Sequence, residues 1–151
     1  MRAHAFQAQA ARSALDLVRA ETKQGDINTA AMIERLQGVM ANDVGPFRMQ
    51  AKLTRALSSI EEMMRALGER PIGDSGAFDL RRLEWFDLRN MLLVARAVAT
   101  AAVARSESRG AHQREDFPEM LPAWQFNQLA RWDERGITLV KTRAAMHAAA
   151  Q

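Results

Sequence analysis

The chain has 151 residues, of which 48% are hydrophobic and 26% are charged, a composition typical of one folded domain. It contains no cysteine, which excludes disulfides, thiolate metal sites and a cysteine nucleophile. The formal net charge is only +3, and most arginines lie close to an acidic residue, so we expect no nucleic-acid partner. The most apolar stretch, residues 91–104, has 14 residues and includes one arginine, which is short of the ~20 apolar residues that a transmembrane segment needs, so none is expected.

The 28 alanines of the chain favour helices, and the first half of the sequence predicts them in order. An N-terminal helix is expected over 3–21, with apolar residues that include Phe6 and Leu17 on one face, followed by a loop at Gly25. A second helix is expected to begin after Asp26 or Asn28, either of which can cap it, and to run to about residue 42.

Two further helices follow. The third is expected to have Pro46 in its first turn and to end at Gly68, before a linker over 68–77 that contains three glycines and a proline. Asp79 is expected to cap a fourth helix that runs to about Ser106. The second half of this helix is apolar nearly all round, which predicts neighbours on several sides.

These elements predict a mainly α fold, an antiparallel three-helix bundle with an extra N-terminal helix. Residues 125–132 and 137–142 have strand character on either side of a turn and predict a small C-terminal β-hairpin beside irregular segments. We divide the chain into an N-terminal helix over 1–24, the bundle over 25–107, and a charged loop, hairpin and Ala-rich tail over 108–151.

Charged residues crowd the segment ESRGAHQRED at 107–116, directly after the most apolar helix. Two interpretations stay open: a loop whose charges need partners on another protein surface, or a solvated turn. A metal site at His112, Glu115 and Asp116 is a weaker alternative, and so is a small enzyme with His112 as its base. A histidine held by hydrogen bonds explains His112 better. Acid–base chemistry by Glu107, Glu115 and Asp116 is explained better as mutual salt bridges with the interleaved Arg105, Arg109 and Arg114. With no phosphate-binding glycine motif either, we expect no catalytic, cofactor-binding or metal-binding residue.

A resemblance to a known family rests on two stretches of sequence. RNML at 89–92, followed by ESRGAHQREDFP at 107–118, resembles the C-terminal region of the flavoprotein subunits of succinate dehydrogenase and fumarate reductase, a family that includes L-aspartate oxidase. Residues 36–48, with LQGVM and DVG before Arg48, resemble the same family, and residues 5–14 resemble the helix that closes its FAD-binding domain. The resemblance covers roughly residues 6–143.

The resemblance implies that FAD and substrate are handled by domains that lie N-terminal to this part of the family's chain. We therefore expect no cofactor in this chain and FAD in the parent or partner protein. It also implies that one segment docks the helical domain on an FAD-binding domain of the same or another chain. The residues of this docking motif are Glu107, Ser108, Arg109, Gly110, His112, Arg114 and Asp116.

The sequence thus predicts a non-catalytic helical domain or small subunit of an FAD-dependent oxidoreductase of electron transport. An iron–sulfur subunit is a second candidate partner. The expected location is cytoplasmic, either free or peripheral at the inner face of a membrane through partner subunits. The alternative is a stand-alone helical interaction or regulatory module without redox activity, which would not associate with a flavin-bearing protein.

Overall fold

A computed structural model describes residues 8–20, 27–73, 78–133 and 136–144. Within these ranges four helices are joined by two small two-stranded sheets and a short 3-10 turn. The elements are α1 (Ala8–Arg19), α2 (Thr29–Asp43), β1 (Phe47–Arg48), α3 (Gln50–Leu67), α4 (Leu80–Ala104), β2 (Gln113–Arg114), the 3-10 turn (Pro122–Trp124), β3 (Phe126–Asp133) and β4 (Gly136–Arg143).

The ends of the helices follow their local sequence. The Asn28 side chain accepts a hydrogen bond from the backbone N–H of Ala31 at 3.0 Å, and the Asp79 carboxylate accepts one from Arg81 at 2.9 Å. Gly68 ends α3 with a φ of 75°, a conformation that favours glycine. The predicted caps of α2 and α4 and the end of α3 are therefore confirmed.

Helices α2, α3 and α4 pack together and bury the core, which confirms the three-helix bundle. Trp85 is fully buried and donates its indole N–H to the carbonyl of Leu67 at 3.2 Å. Three buried alanines on α4 keep its inner face small, so neighbouring helices can approach closely. The core residues are Leu36, Val44, Leu53, Ala56, Ile60, Met63, Leu67, Ile72, Trp85, Leu88, Leu92, Ala95, Ala99 and Ala102.

The prediction that Pro46 lies in the first turn of the third helix is wrong. The chain stays extended after Pro46 as β1, which pairs in parallel with β2, and α3 begins only at Gln50. The carbonyl of Pro46 accepts a hydrogen bond from the backbone N–H of Gln113 at 3.0 Å. This pairing with a segment far along the chain requires extended backbone, and it displaces the helix start by several residues.

The predicted C-terminal hairpin is confirmed. Strands β3 and β4 pair antiparallel over their full lengths, from Phe126 opposite Arg143 to Asp133 opposite Gly136. None of the described hairpin residues is buried, although one face lies over α4. The hairpin therefore projects from the bundle as an arm.

Helix α1 lies against the bundle without a buried residue of its own. The buried guanidinium of Arg82, on α4, donates hydrogen bonds to the carbonyls of Val18 and Ala20 at the end of α1. The predicted positions of Phe6 and Gly25 and the Ala-rich tail fall outside the described residues. No helix in the described ranges combines the length and the apolarity that crossing a membrane requires.

The second half of α4 does not have neighbours on every side. Ala95 and Ala99 are buried in the bundle, whereas Val94 and Val98 are 63% and 41% exposed. The predicted neighbours on several sides are α2, α3 and the hairpin, while the outer face at Val94 and Val98 stays uncovered within the described chain.

Candidate functional site

The charged loop, residues 105–121, joins the end of α4 to the 3-10 turn and contains all seven residues of the predicted docking motif. Its tip is a tight turn in which Arg109 and His112 exchange two backbone hydrogen bonds, of 2.7 and 3.0 Å. Gly110 has a φ of 57° at the first central position, which is the pattern of a type II′ turn and favours glycine. Gly110 and Ala111 are exposed, so this tip faces away from the bundle.

Glu107 is fully buried and is held by three donors from within the loop. Arg109 forms a fork on its carboxylate, with Nε at 2.8 Å and Nη2 at 3.1 Å, and Arg105 donates at 2.6 Å. The backbone N–H of Leu121 completes the set at 2.8 Å. The hydrogen bonds from Arg109 are the main cause that lowers the pKa of Glu107 to about 2, against the opposing effect of burial.

Arg114 is fully buried and joins the ends of two helices. Its Nε and Nη2 donate to the two oxygens of Asp116 at 2.7 and 2.8 Å, and Nη2 also donates to the side chain of Gln50 at 3.0 Å. Its Nη1 caps the C-terminus of α4, where a cation is favoured by the helix dipole. The carbonyls that accept these bonds belong to Ala102, Val103 and Arg105, at 3.0 to 3.3 Å.

Asp116 links this arginine to the start of α3. Its Oδ2 accepts the backbone N–H of Gln50 at 2.9 Å, the first residue of the helix, while Met49 provides no side-chain cap. The hydrogen bonds from Arg114 hold the pKa of Asp116 well below its usual range, with burial opposing them. Arg114 and Asp116 together therefore connect the C-terminus of α4 to the N-terminus of α3.

His112 is held through both ring nitrogens. Arg48 Nη1 lies 2.5 Å from His112 Nδ1, and because arginine can only donate, Nδ1 accepts. His112 Nε2 then carries the proton and donates to the carbonyl of Arg105 at 3.3 Å. Burial, and next the charge of Arg48, lower the pKa of His112. Arg48 also donates from Nε to two carbonyls at the end of α2, those of Val44 and Gly45.

Ser108 shapes the interior of the loop. Its Oγ accepts the backbone N–H of Arg114 at 2.8 Å and donates to the carbonyl of Phe117 at 2.9 Å. Its backbone N–H donates to the carbonyl of Glu119 at 2.9 Å. The serine is thus used as a structural hydrogen-bonding group, and among the described residues it bonds to no histidine.

The buried charges of the loop find their partners inside this chain. The mutual salt bridges that the sequence predicts are confirmed for Glu107, with Arg105 and Arg109, and for Asp116, with Arg114. The structure brings all seven motif residues together and buries Glu107, Ser108 and Arg114. It adds Gln50, for which the sequence carried no signal, because 66 residues separate it from Asp116.

The side chains of this loop that could act as acids or bases already form hydrogen bonds. His112 Nδ1, the basic nitrogen, is occupied by Arg48, and the oxygens of Glu107 and Asp116 already accept several hydrogen bonds. Across the described ranges, no group of three or more histidine or acidic side chains could hold a metal ion. An open groove of about 1010 Å³ lies elsewhere, between α3, α4 and the hairpin at Trp132.

The surface on and beside the charged loop exposes apolar side chains next to the charged side chains of Glu115 and Glu119. Phe47 on β1 is 67% exposed and Met120 is 65% exposed, and Phe117 is partly exposed beside the guanidinium of Arg114. Such side chains next to a rigid set of buried ion pairs are typical of a protein contact surface.

Comparisons with known proteins agree on one family. The family model described as the fumarate reductase flavoprotein C-terminal region matches residues 33–149. A CoM/CoB fumarate reductase protein of Methanothermobacter marburgensis is 39% identical over 109 residues, 72% of this chain and 19% of that protein. The succinate dehydrogenase flavoprotein subunit of Coxiella burnetii is 33% identical over 93 residues, 61% of this chain and 16% of that protein.

The fold comparison points the same way. A solved quinol-fumarate reductase with menaquinol molecules contains a chain that matches with a TM-score of 0.79 and 25% identity, over 98% of this chain and 27% of that chain. The chain spans about a fifth of the length of the curated relatives it matches.

Proposed function

The chain belongs to the family of fumarate reductase flavoprotein C-terminal domains, and from this premise we propose that it is a non-catalytic domain or small subunit of an FAD-dependent oxidoreductase. The parent enzyme is of the succinate dehydrogenase/fumarate reductase type. The observation that carries the proposal is the family match over 33–149, which includes both the bundle and the charged loop. The names of the relatives as flavoprotein subunits support flavin in the parent protein.

The role proposed for this chain is docking. The charged loop binds the FAD-binding domain of the same or another chain, and its internal ion pairs fix the loop in shape before contact. The exposed turn at Gly110 and Ala111 and the apolar side chains of Phe47 and Met120 provide the contact surface. Two points stay predictions: a second partner that carries iron–sulfur clusters, and a peripheral position at the inner face of a membrane.

The proposal is tested by native mass spectrometry of the untagged protein from its source cells, with flavin absorbance recorded on the same sample. We expect a mass beyond 16.9 kDa with bound flavin, either as one longer chain or as a tight complex. A lone 16.9 kDa species without flavin would overturn the proposal and favour the stand-alone helical module.

The contact surface is tested by a pair of variants that add the same charge. Phe47→Lys should lower the fraction of the chain found with flavin, because an unpaired ammonium would be buried at the contact. Ala66→Lys, at an exposed position on α3, is the control and should leave that fraction unchanged. Equal behaviour of the two variants would remove Phe47 from the interface.

A further inference from the structure

The outer face of α4 carries a row of exposed apolar side chains, which we name the α4 stripe. Leu80, Leu83, Val94 and Val98 are 69%, 57%, 63% and 41% exposed. Their spacing of three, eleven and four residues keeps them on one side of the helix, opposite the buried face. At 1.5 Å per residue the stripe is ~27 Å long.

A row of this kind is unusual on a free surface. A single exposed leucine needs no explanation, but two pairs of large apolar side chains exposed on one side of the same helix are typical of a contact site, even with Asp87 between the pairs. Ala97 and Ala101 lie beside Val94 and Val98 on the same side of α4 and are themselves only partly buried. Small side chains at these positions leave a flat surface on which another backbone can pack closely.

We propose that the α4 stripe packs on the same flavin-bearing protein as the charged loop, so that one continuous interface runs from the loop along α4. The inference rests on the proposed function. Continuity supports it, because α4 ends at Ala104 and leads directly into the loop at Arg105. The length of the relatives supports it too, since about four fifths of each curated relative lies outside the segment that matches this chain.

The size of a stable interface also favours a shared occupant. Specific interfaces bury roughly 800 Å² on each partner and involve about 20–30 residues a side. The few exposed side chains around the charged loop are too small a set for this, whereas the loop and the stripe together extend over the whole length of α4. A second protein on the stripe is then unnecessary.

The stripe also indicates the chemistry of the surface that covers it. The partner must be apolar where it covers the two ends of the stripe, at Leu83 near the start of α4 and at Val94 and Val98 near its end. In the middle lies Asp87, which is exposed and forms no ion pair or hydrogen bond within the described residues. The partner should present a backbone N–H or a cation there, because an unpaired carboxylate is costly to bury.

The experiment introduces Val94→Lys into the gene in the source cells and compares it with Ala66→Lys. Both positions are exposed on a helix, so neither change should unfold the chain, which circular dichroism checks. The readout is a dilution series in native mass spectrometry, with the fraction in flavin-containing complex as the signal. If one longer chain carries both parts, the readout is the temperature at which flavin is released. We expect Val94→Lys to weaken docking about 30-fold or more, or to lower that temperature, with Ala66→Lys unchanged.

Each other outcome has a distinct meaning. Failure of the wild-type chain to associate with a flavoprotein overturns the proposed function, and the stripe with it. Normal docking of Val94→Lys beside a defective Phe47→Lys overturns the stripe alone. Concentration-dependent dimers of the wild type that Val94→Lys abolishes, with flavoprotein binding intact, would assign the stripe to a second copy of this chain and also overturn the inference.

Discussion

The charged loop and the hairpin both follow α4, and they are held in opposite ways. The hairpin has a regular ladder of eight opposed residue pairs, yet none of its described residues is buried. The charged loop has little regular structure, yet Glu107 and Arg114 in it are almost completely excluded from solvent. Regular backbone pairing therefore does not decide which segment is fixed to the bundle.

The difference comes from where the hydrogen bonds lead. In the hairpin most of them join the two neighbouring strands, and Arg105 holds only its base, by donating to the carbonyls of Trp124 and Phe126 at 3.2 and 2.9 Å. In the loop they lead to α2, α3 and α4, through Arg48, Gln50 and the carbonyls at the end of α4. The loop thus ties three helix ends together, and its substitution should affect the whole bundle.

The largest effect is expected from Arg114→Ala. Its removal leaves Asp116 partly buried without its cation and the carbonyls at the end of α4 without a donor, at a cost of ~3–5 kcal/mol in the free energy of unfolding. Urea denaturation measures this loss. Arg131→Ala, at an exposed position of the hairpin, is the control and should cost less than ~0.5 kcal/mol. Equal losses of unfolding free energy in the two variants would contradict the conclusion that the loop, and not the hairpin, is fixed to the bundle.

Glu107 should make the loop sensitive to acid. Its folded pKa of about 2 lies below the unfolded value of 4.5, so the carboxylate stabilises the fold above pH 4.5, and that contribution is lost as the pH falls toward 2. Glu107→Gln should flatten the dependence of the urea midpoint on pH in this window. Asp116, whose pKa is also lowered, acts in the same direction and leaves a residual slope in the variant. An unchanged slope would show that the buried carboxylate is not coupled to folding.

His112 should give a smaller effect at higher pH. Its folded pKa is lowered from 6.5, so below pH 6.5 the unfolded chain binds a proton more readily, and stability falls as the pH falls. His112→Gln should remove this decline below pH 6.5 while leaving stability near pH 8 almost unchanged. The measurement is the urea midpoint at each pH. A decline that persists in the variant would mean that other groups cause it.

The smallest effect is expected from Trp132→Ala in the hairpin. The guanidinium of Arg96 lies 5.2 Å from the centre of its ring, a contact worth ~0.5–1 kcal/mol at an exposed site. Hydrogen exchange should become faster for the hairpin amides and stay unchanged in α3 and α4. Val140→Ala, on the opposite face of the hairpin, is the control. A matching loss of protection in the bundle would show that the arm and the loop are equally tied to it.

Much of the fold could be predicted because its signals are local. Asn28, Gly68 and Asp79 act on backbone groups within a few residues, and the two strands of the hairpin are neighbours in sequence. The motif at 107–116 likewise identified the family without any structure. Pro46 was misplaced because β1 forms only through pairing with β2, more than sixty residues away.

The sequence by itself determined the helices, the hairpin and the family, since caps, periodicity and a contiguous motif are written in neighbouring residues. Only the tertiary structure decided that Arg48 and Gln50 bond to the charged loop and that the face of α4 at Val94 stays uncovered within the described chain. Arg48 meets His112 across 64 residues and Gln50 meets Asp116 across 66. Such contacts depend on how the helices pack. A local sequence pattern carries no information about which residues will meet when they lie more than sixty positions apart.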